Sequence, residues 1–194
     1  MSDGEGRAED RVEIRPATVD DAGTIAAVHR ESWRTTYAGI LPEDFIAAHA
    51  GRKSEPAWHS RLARAAPGEA TWVAERGGQI VAFANGGDAR HTLEGLDAEI
   101  YALYVLQSHQ RRGVGRELVR ESARHFVRNG RFGFYLWVLK ANRARMFYEA
   151  MGGVEMGEKT ERLGPRHSFA QVAYGWHDLT ALVSEPGSLA RRSG

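Results

Sequence analysis

The sequence predicts an α+β (mixed α/β) fold, a sheet flanked by helices, and three patterns carry that prediction. Apolar residues recur at helical period near the N-terminus and again from Val114 to Val127. They alternate at period two between Ala70 and Gly86. Two nearly continuous apolar runs, "AEIYALYVL" and "FGFYLWVL", flank the second helical stretch. Two buried strands joined through one helix form a locally parallel pair with a right-handed crossover.

Taken in order, "RVEIRPAT" alternates apolar and charged residues and predicts a first strand, ended by Pro16. Thr18 and Asp21 have the spacing of a capping box, and Ala22, Ile25, Ala26 and His29 share a face, so a helix is expected over about 18–31. Prolines opening "PEDFIAAHA" and "PAWHSRLARA" mark two short helices, because proline suits a first helical turn. "ATWVAE", "RGGQ" and "IVAFANG" form a hairpin in which Gly77 and Gly78 supply the positive φ of a tight turn. "AEIYALYVL" reads as a strand buried on both faces. From Gly113 a helical stripe runs through Val114, Leu118, Ser122, Ala123, Phe126 and Val127 and stops near Asn129 and Gly130. "FGFYLWVL" is a second buried strand, "NRARMFYEAMG" a short helix closed by Gly152, and "SFAQVAYGW" a final strand. With no internal repeat or long linker, one domain is expected over 11–178, between tails at 1–10 and 179–194.

Composition excludes several function classes. The 26 lysines and arginines against 25 acids give a net charge of +1, which offers no general drive toward nucleic acid or an anionic membrane, so any basic site is local. Without cysteine there is no disulfide, no thiolate metal site and no cysteine-linked covalent intermediate. The eight histidines show no ligand spacing, so no metal is expected, and His109 and His167 read as surface or loop residues. The acidic N-terminus lacks the pattern of a secretory signal, and "FGFYLWVL" is too short to span a bilayer. A cytoplasmic protein with no membrane or nucleic-acid partner is expected.

Between the apolar run and the following helix, Gln110, Gly113 and Gly115 form Q-x-x-G-x-G. Glycines let the backbone approach an anion, and the first amides of a helix are unpaired donors at the positive end of its dipole. Arg111, Arg112 and Arg116 add charge, which suits a pyrophosphate. The third glycine position of a dinucleotide fingerprint is Leu118, and the G-K-[ST] of a P-loop is absent. Taken alone, the turn is either a phosphate site or a simple chain reversal. Arg116, Arg120, Arg124 and Arg128 fall four apart, but interleaved Glu117 and Glu121 make this a solvated ion-paired face rather than a nucleic-acid stripe.

"AEIYALYVLQSHQRRGVGRELV", followed by "LWVLKANRARMFYEAMGG", resembles the Gcn5-related N-acetyltransferase (GNAT) superfamily. There, Q/R-x-x-G-x-G/A binds the pyrophosphate of acetyl-CoA. A second motif follows on the next helix, here Asn142, Ala144, Phe147, Tyr148, Glu149 and Gly152. The resemblance covers residues 11–178 and is strongest over 97–153. It implies a GNAT-type fold, a mixed, mainly antiparallel sheet whose two central parallel strands splay to admit the pantetheine arm. It also implies that Leu103, Tyr104 and Val105 offer main chain to pantetheine, that Gln110, Arg111, Arg112, Gly113, Val114, Gly115 and Arg116 hold the pyrophosphate, and that Asn142 lies near the pantetheine. Tyr148 takes the general-acid position. Glu99 takes the base position, which a water chain fills in some members, and the Val105 amide is placed for the oxyanion. Acetyl-CoA is the implied co-substrate, with an amine of a small molecule or peptide as acceptor. Because cysteine is lacking, direct attack in a ternary complex is expected.

On the acceptor side the resemblance points to Trp33, Tyr37, Phe45, Trp58 and the loop "DARHTLEGLD". Trp33 and Tyr37 are four apart on a helical face, where they either line the acceptor pocket or pack in the core. No acidic cluster marks a polycationic acceptor. A non-catalytic acyl-CoA sensor of the same fold is the alternative, and a homodimer through the C-terminal strands is common in the superfamily.

Overall fold

The computed structural model describes residues 11–50, 54–163 and 167–184. The first strand, β1 (Val12–Pro16), leads to the Thr18 capping box: the Thr18 N–H donates to the Asp21 carboxylate at 2.8 Å. Arg15 forks onto the same carboxylate at 2.8 and 3.0 Å, and this pairing holds Asp21 below the usual carboxylate range. After one 3₁₀ turn the chain enters α1 (Ala22–Tyr37). This helix runs past the expected end near residue 31 because Ser32 is buried and Trp33 and Tyr37 pack onto Leu41, Phe45 and Ile46. The two short helices follow as α2 (Glu43–Ala50) and α3 (Glu55–Ala63).

The remaining strands are β2 (Ala70–Arg76), β3 (Gln79–Leu93), β4 (Leu96–Val105), β5 (Phe134–Leu139), β6 (Val154–Leu163) and β7 (His167–Trp176). Helix α4 (Val114–Arg128) joins β4 to β5, α5 (Arg145–Ala150) follows β5, and α6 (Thr180–Ser184) closes the described chain. The sheet order is β1-β2-β3-β4-β5-β7-β6, and every pair is antiparallel except β4 with β5. The period-two pattern sends side chains to two layers. Val73 and Phe83 pack with α1, and Ala74, Ala82 and Ala84 with Val114 and Leu118 of α4.

One irregularity positions the site. Asn85 faces Ala102 and Gly86 faces Ile100, so Tyr101 is an extra residue in β4, a bulge. Before it, Ala98 and Ile100 pack with α4; after it, Ala102 and Tyr104 pack with the α1 layer. The chains come so close here that a Cβ on Gly86 would lie 2.8 Å from the Glu99 carbonyl oxygen. Burial on both faces therefore holds only for the first part of β4; Leu103, Tyr104 and Val105 are half-buried, because β5 has moved away.

Two sequence expectations are corrected here, and one strand is added. The loop "DARHTLEGLD" is a hairpin: Asp88–Leu93 extends β3, Leu96 and Asp97 begin β4, and Glu94 and Gly95, both at positive φ, lie between them. Strand β6 escaped notice because it is an edge strand whose described side chains are mostly exposed, which erases the apolar alternation. The segment after 178 is not a tail throughout, since Leu179 and Leu182 are 2% and 5% exposed and join the core beside Phe126 and Trp176. Residues 1–10 and 185–194 lie outside the described residues.

Candidate active site

Strands β4 and β5 share a single register pair, Glu99 opposite Tyr135. Past it they diverge, and the wedge opens as a cleft of about 1030 Å³. Its walls come from the end of α1 and the loop after it, from β4, from the turn into α4, and from β5 with α5.

The edge of β4 that faces the wedge follows from its pairing with β3. The Leu106 N–H donates to the Val81 carbonyl at 3.0 Å, which makes 81/106 a bonded pair. In an antiparallel ladder bonded and non-bonded pairs alternate, so Tyr104 also turns its main chain to Phe83, and Leu103 and Val105 turn theirs to the cleft. Of the three residues expected to offer backbone, Tyr104 does not: its contribution is its side chain. The Val105 carbonyl is already occupied by the Gln110 side-chain amide at 3.1 Å, leaving the Val105 N–H toward the wedge. Gln110 thus fastens the turn to the strand.

Gly113 is the N-cap of α4 at φ 84°, a conformation side chains resist, and Arg111 before it has φ 60°. The Glu117 N–H makes the helix bond to the Gly113 carbonyl, so the amides of Val114, Gly115 and Arg116 precede the helical ladder and remain as donors. Gln110, Arg111, Gly113, Gly115 and Arg116 line the cleft, whereas Arg112 lies outside the lining and the Val114 side chain is core. Farther along α4 the arginine stripe is ion-paired: Arg120 with Glu117 at 2.9 Å, and Arg124 and Arg128 with Glu121 at 3.1 and 2.8 Å.

On the opposite wall Asn142 uses its side-chain oxygen to cap the Ala144 N–H at 2.9 Å, which leaves its NH₂ for a ligand. Tyr148 of α5 lines the cleft and is 7% exposed. Burial, with Tyr37 nearby as a second cause, pushes its phenol well above the ordinary range, so it stays protonated at neutral pH. Such a group can donate a proton but cannot serve as a base.

Tyr37 lines the cleft, and Trp33 stands behind it, rings edge-on with centroids 4.7 Å apart. The Trp33 indole N–H donates to the Tyr104 hydroxyl at 2.9 Å, and the Tyr37 and Tyr104 oxygens are 3.4 Å apart. Phe45 and Trp58 belong to core clusters outside the lining. Side chains that the sequence did not single out also face the cleft: Tyr104, Arg143 and Trp137, with the Lys159 ammonium 4.1 Å from the Trp137 ring centre.

The carboxylate that the resemblance puts in the base position, Glu99, lies apart from the cleft lining. It is 1% exposed. One oxygen accepts from the Arg90 main-chain amide and Nε, both at 3.1 Å, and lies 3.3 Å from the Tyr135 hydroxyl, whose shorter bond, at 2.6 Å, goes to the His91 carbonyl; the other pairs with the far end of the same guanidinium. Both oxygens of this strand-interior acid are engaged, and Tyr135 fastens the β3–β4 hairpin to β5 through His91.

A model of the acetyltransferase (GNAT) family matches residues 26–152. Over 173 residues the chain is 35% identical to an uncharacterised N-acetyltransferase, YuaI, of Bacillus subtilis, covering 88% of this chain and 96% of that one. A stretch of 35 residues is 49% identical to the spermidine N(1)-acetyltransferase of Thermoplasma acidophilum, 18% of this chain and 22% of that one. Among solved structures, the PaiA N-acetyltransferase of T. acidophilum in complex with coenzyme A superposes with a TM-score of 0.65 at 22% identity, over 84% of this chain and 98% of that one.

Proposed function

The chain belongs to the acetyltransferase (GNAT) family, and from that premise we propose that the β4–β5 cleft binds acetyl-CoA and passes its acetyl group to a primary amine by direct attack in a ternary complex. The observation that carries the reading is the wedge past Glu99 and Tyr135, where a free strand edge meets a turn with unconsumed helix amides. Pantetheine adds to the edge of β4 through the main chain of Leu103, as an added strand would, which leaves the Val105 N–H for the thioester oxygen. The amides at Gly113, Val114, Gly115 and Arg116, with Arg111, receive the pyrophosphate. Asn142 faces the pantetheine with its free NH₂.

The neutral amine attacks the thioester carbonyl, and the Val105 N–H stabilises the oxygen as it becomes negative. As the C–S bond breaks, the phenol of Tyr148 gives its proton to the departing sulfur, which is the role a buried, protonated hydroxyl suits. The proton lost by the amine leaves through water in the cleft. Glu99, held by Arg90, keeps the wedge open at its vertex instead of acting as the base. With no cysteine in the chain, no acetyl-cysteine precedes transfer.

The test is acetyl-CoA turnover against a panel of amines, with CoA binding measured separately. Acetylated product from one or more amines, together with loss of turnover but not of CoA affinity in Tyr148→Phe, is the expected result. Saturable CoA binding without transfer to any amine would favour the acyl-CoA sensor.

A further inference from the structure

The hydroxyl chain behind the acceptor end of the cleft has a fixed direction. An indole N–H only donates, so the Tyr104 oxygen accepts from Trp33 at 2.9 Å. The Tyr104 proton must then go elsewhere, and among the described residues the Tyr37 oxygen, at 3.4 Å, is the remaining hydrogen-bonding partner. Tyr104 therefore donates to Tyr37. With its oxygen so engaged, Tyr37 keeps its own proton for the cleft that its ring lines. Ring packing holds the two phenols in place, with His29 edge-on to Tyr104 at 4.9 Å and Trp33 edge-on to Tyr37 at 4.7 Å.

The charges at this end agree with a donor site. Among the described residues the cleft lining includes no carboxylate, and the acid at the vertex, Glu99, is held by Arg90. Arg143 lines this wall, and the Lys159 ammonium, with Glu161 acting on it, stands over Trp137. A polyamine would bring a second cation into a wall with no carboxylate to receive it.

Resting on the acetyltransferase reading above, we infer that Tyr37 recognises a carbonyl-type oxygen next to the attacking nitrogen. The acceptor is then an α-amino carbonyl compound, a free amino acid derivative or a peptide N-terminus, and not a polyamine. Tyr37 is the residue that touches the acceptor; Tyr104 and Trp33 are positioning residues that aim its proton.

The experiment compares kcat/KM for alaninamide, a tripeptide with a free N-terminus, n-butylamine and spermidine in the wild type, Tyr37→Phe and Tyr104→Phe, with CoA affinity measured in parallel. The better of the two carbonyl-bearing amines should exceed both n-butylamine and spermidine by about tenfold, the worth of one well-placed hydrogen bond. Which of the two is better distinguishes a small-molecule from a peptide acceptor. Tyr37→Phe should erase that ratio and Tyr104→Phe should shrink it, through KM for the carbonyl-bearing amine, with CoA affinity unchanged. A merely structural role would depress all four amines alike. Spermidine or butylamine turned over as fast as the carbonyl-bearing amines, or a ratio that survives Tyr37→Phe, would overturn the inference. Transfer to none of the four while CoA binds would instead overturn the transferase reading, and this inference with it.

Discussion

The two ends of the cleft are built from different material. At the end proposed for the cofactor the groups facing the cleft are mainly backbone: the outward edge of Leu103 and Val105, and the helix amides after Gly113. At the end proposed for the acceptor they are side chains drawn from distant parts of the chain, Tyr37 from α1, Tyr104 from β4, Trp137 from β5 and Tyr148 from α5. A main-chain site needs only a strand edge and a turn of the right dihedral angles, so its features lie close together in sequence. A side-chain site depends on tertiary packing, so changing one ring there alters selectivity without disturbing the cofactor.

That contrast fixes what each substitution should do. The largest effect is expected from Tyr148→Phe, which removes the proton donor while keeping the ring: kcat should fall by about a hundredfold or more with CoA affinity intact. Unchanged steady-state turnover would remove Tyr148 as the acid. Next, Gly113→Val forces a branched side chain into φ 84°, a strain of about 1–2 kcal/mol. CoA titrated calorimetrically should bind roughly tenfold more weakly, while the ranking of amines stays as it was. If the ranking changed as well, the two ends would not be separable. Glu99→Gln weakens the Arg90 clamp and should lower unfolding free energy by about 1–2 kcal/mol in denaturant titration, with kcat reduced only severalfold. A hundredfold loss of kcat and a displaced acid limb would make Glu99 the base after all.

The smallest expected effect is a dependence on pH that fails to appear. Because burial raises the Tyr148 phenol, its proton persists to higher pH than that of an ordinary tyrosine, which titrates near about 10. Turnover should therefore climb as the acceptor ammonium loses its proton and should hold its plateau to about pH 10. A falling limb near pH 8 that vanishes in Tyr148→Phe would contradict this assignment.

Much of the fold was legible because burial leaves a period. The capping box at Thr18, the hairpin through Gly77 and Gly78, and the stripe on α4 all correspond to elements found. The turn at Gln110–Arg116 was legible as a glycine entry into a helix, and the structure places that entry in the cleft wall. What could not be read was what depends on partners far along the chain. The Tyr101 bulge exchanges the faces of β4, and so puts Tyr104 among the acceptor-side aromatics, yet nothing within "AEIYALYVL" marks an extra residue. Glu99 could be read as a base because Arg90, which occupies it, arrives on a hairpin that read as a loop. Strand β6 offers too little buried surface to impose alternation.

The central claim, a cofactor end made of backbone, is tested most directly by amide hydrogen exchange with and without acetyl-CoA. The account predicts slowed exchange in peptides covering Leu103–Val105 and Gly113–Arg116, with little change over Trp33–Tyr37. Protection that avoids 103–116 and appears instead along the arginine face of α4 at 120–128, or no protection at saturating acetyl-CoA, would contradict it.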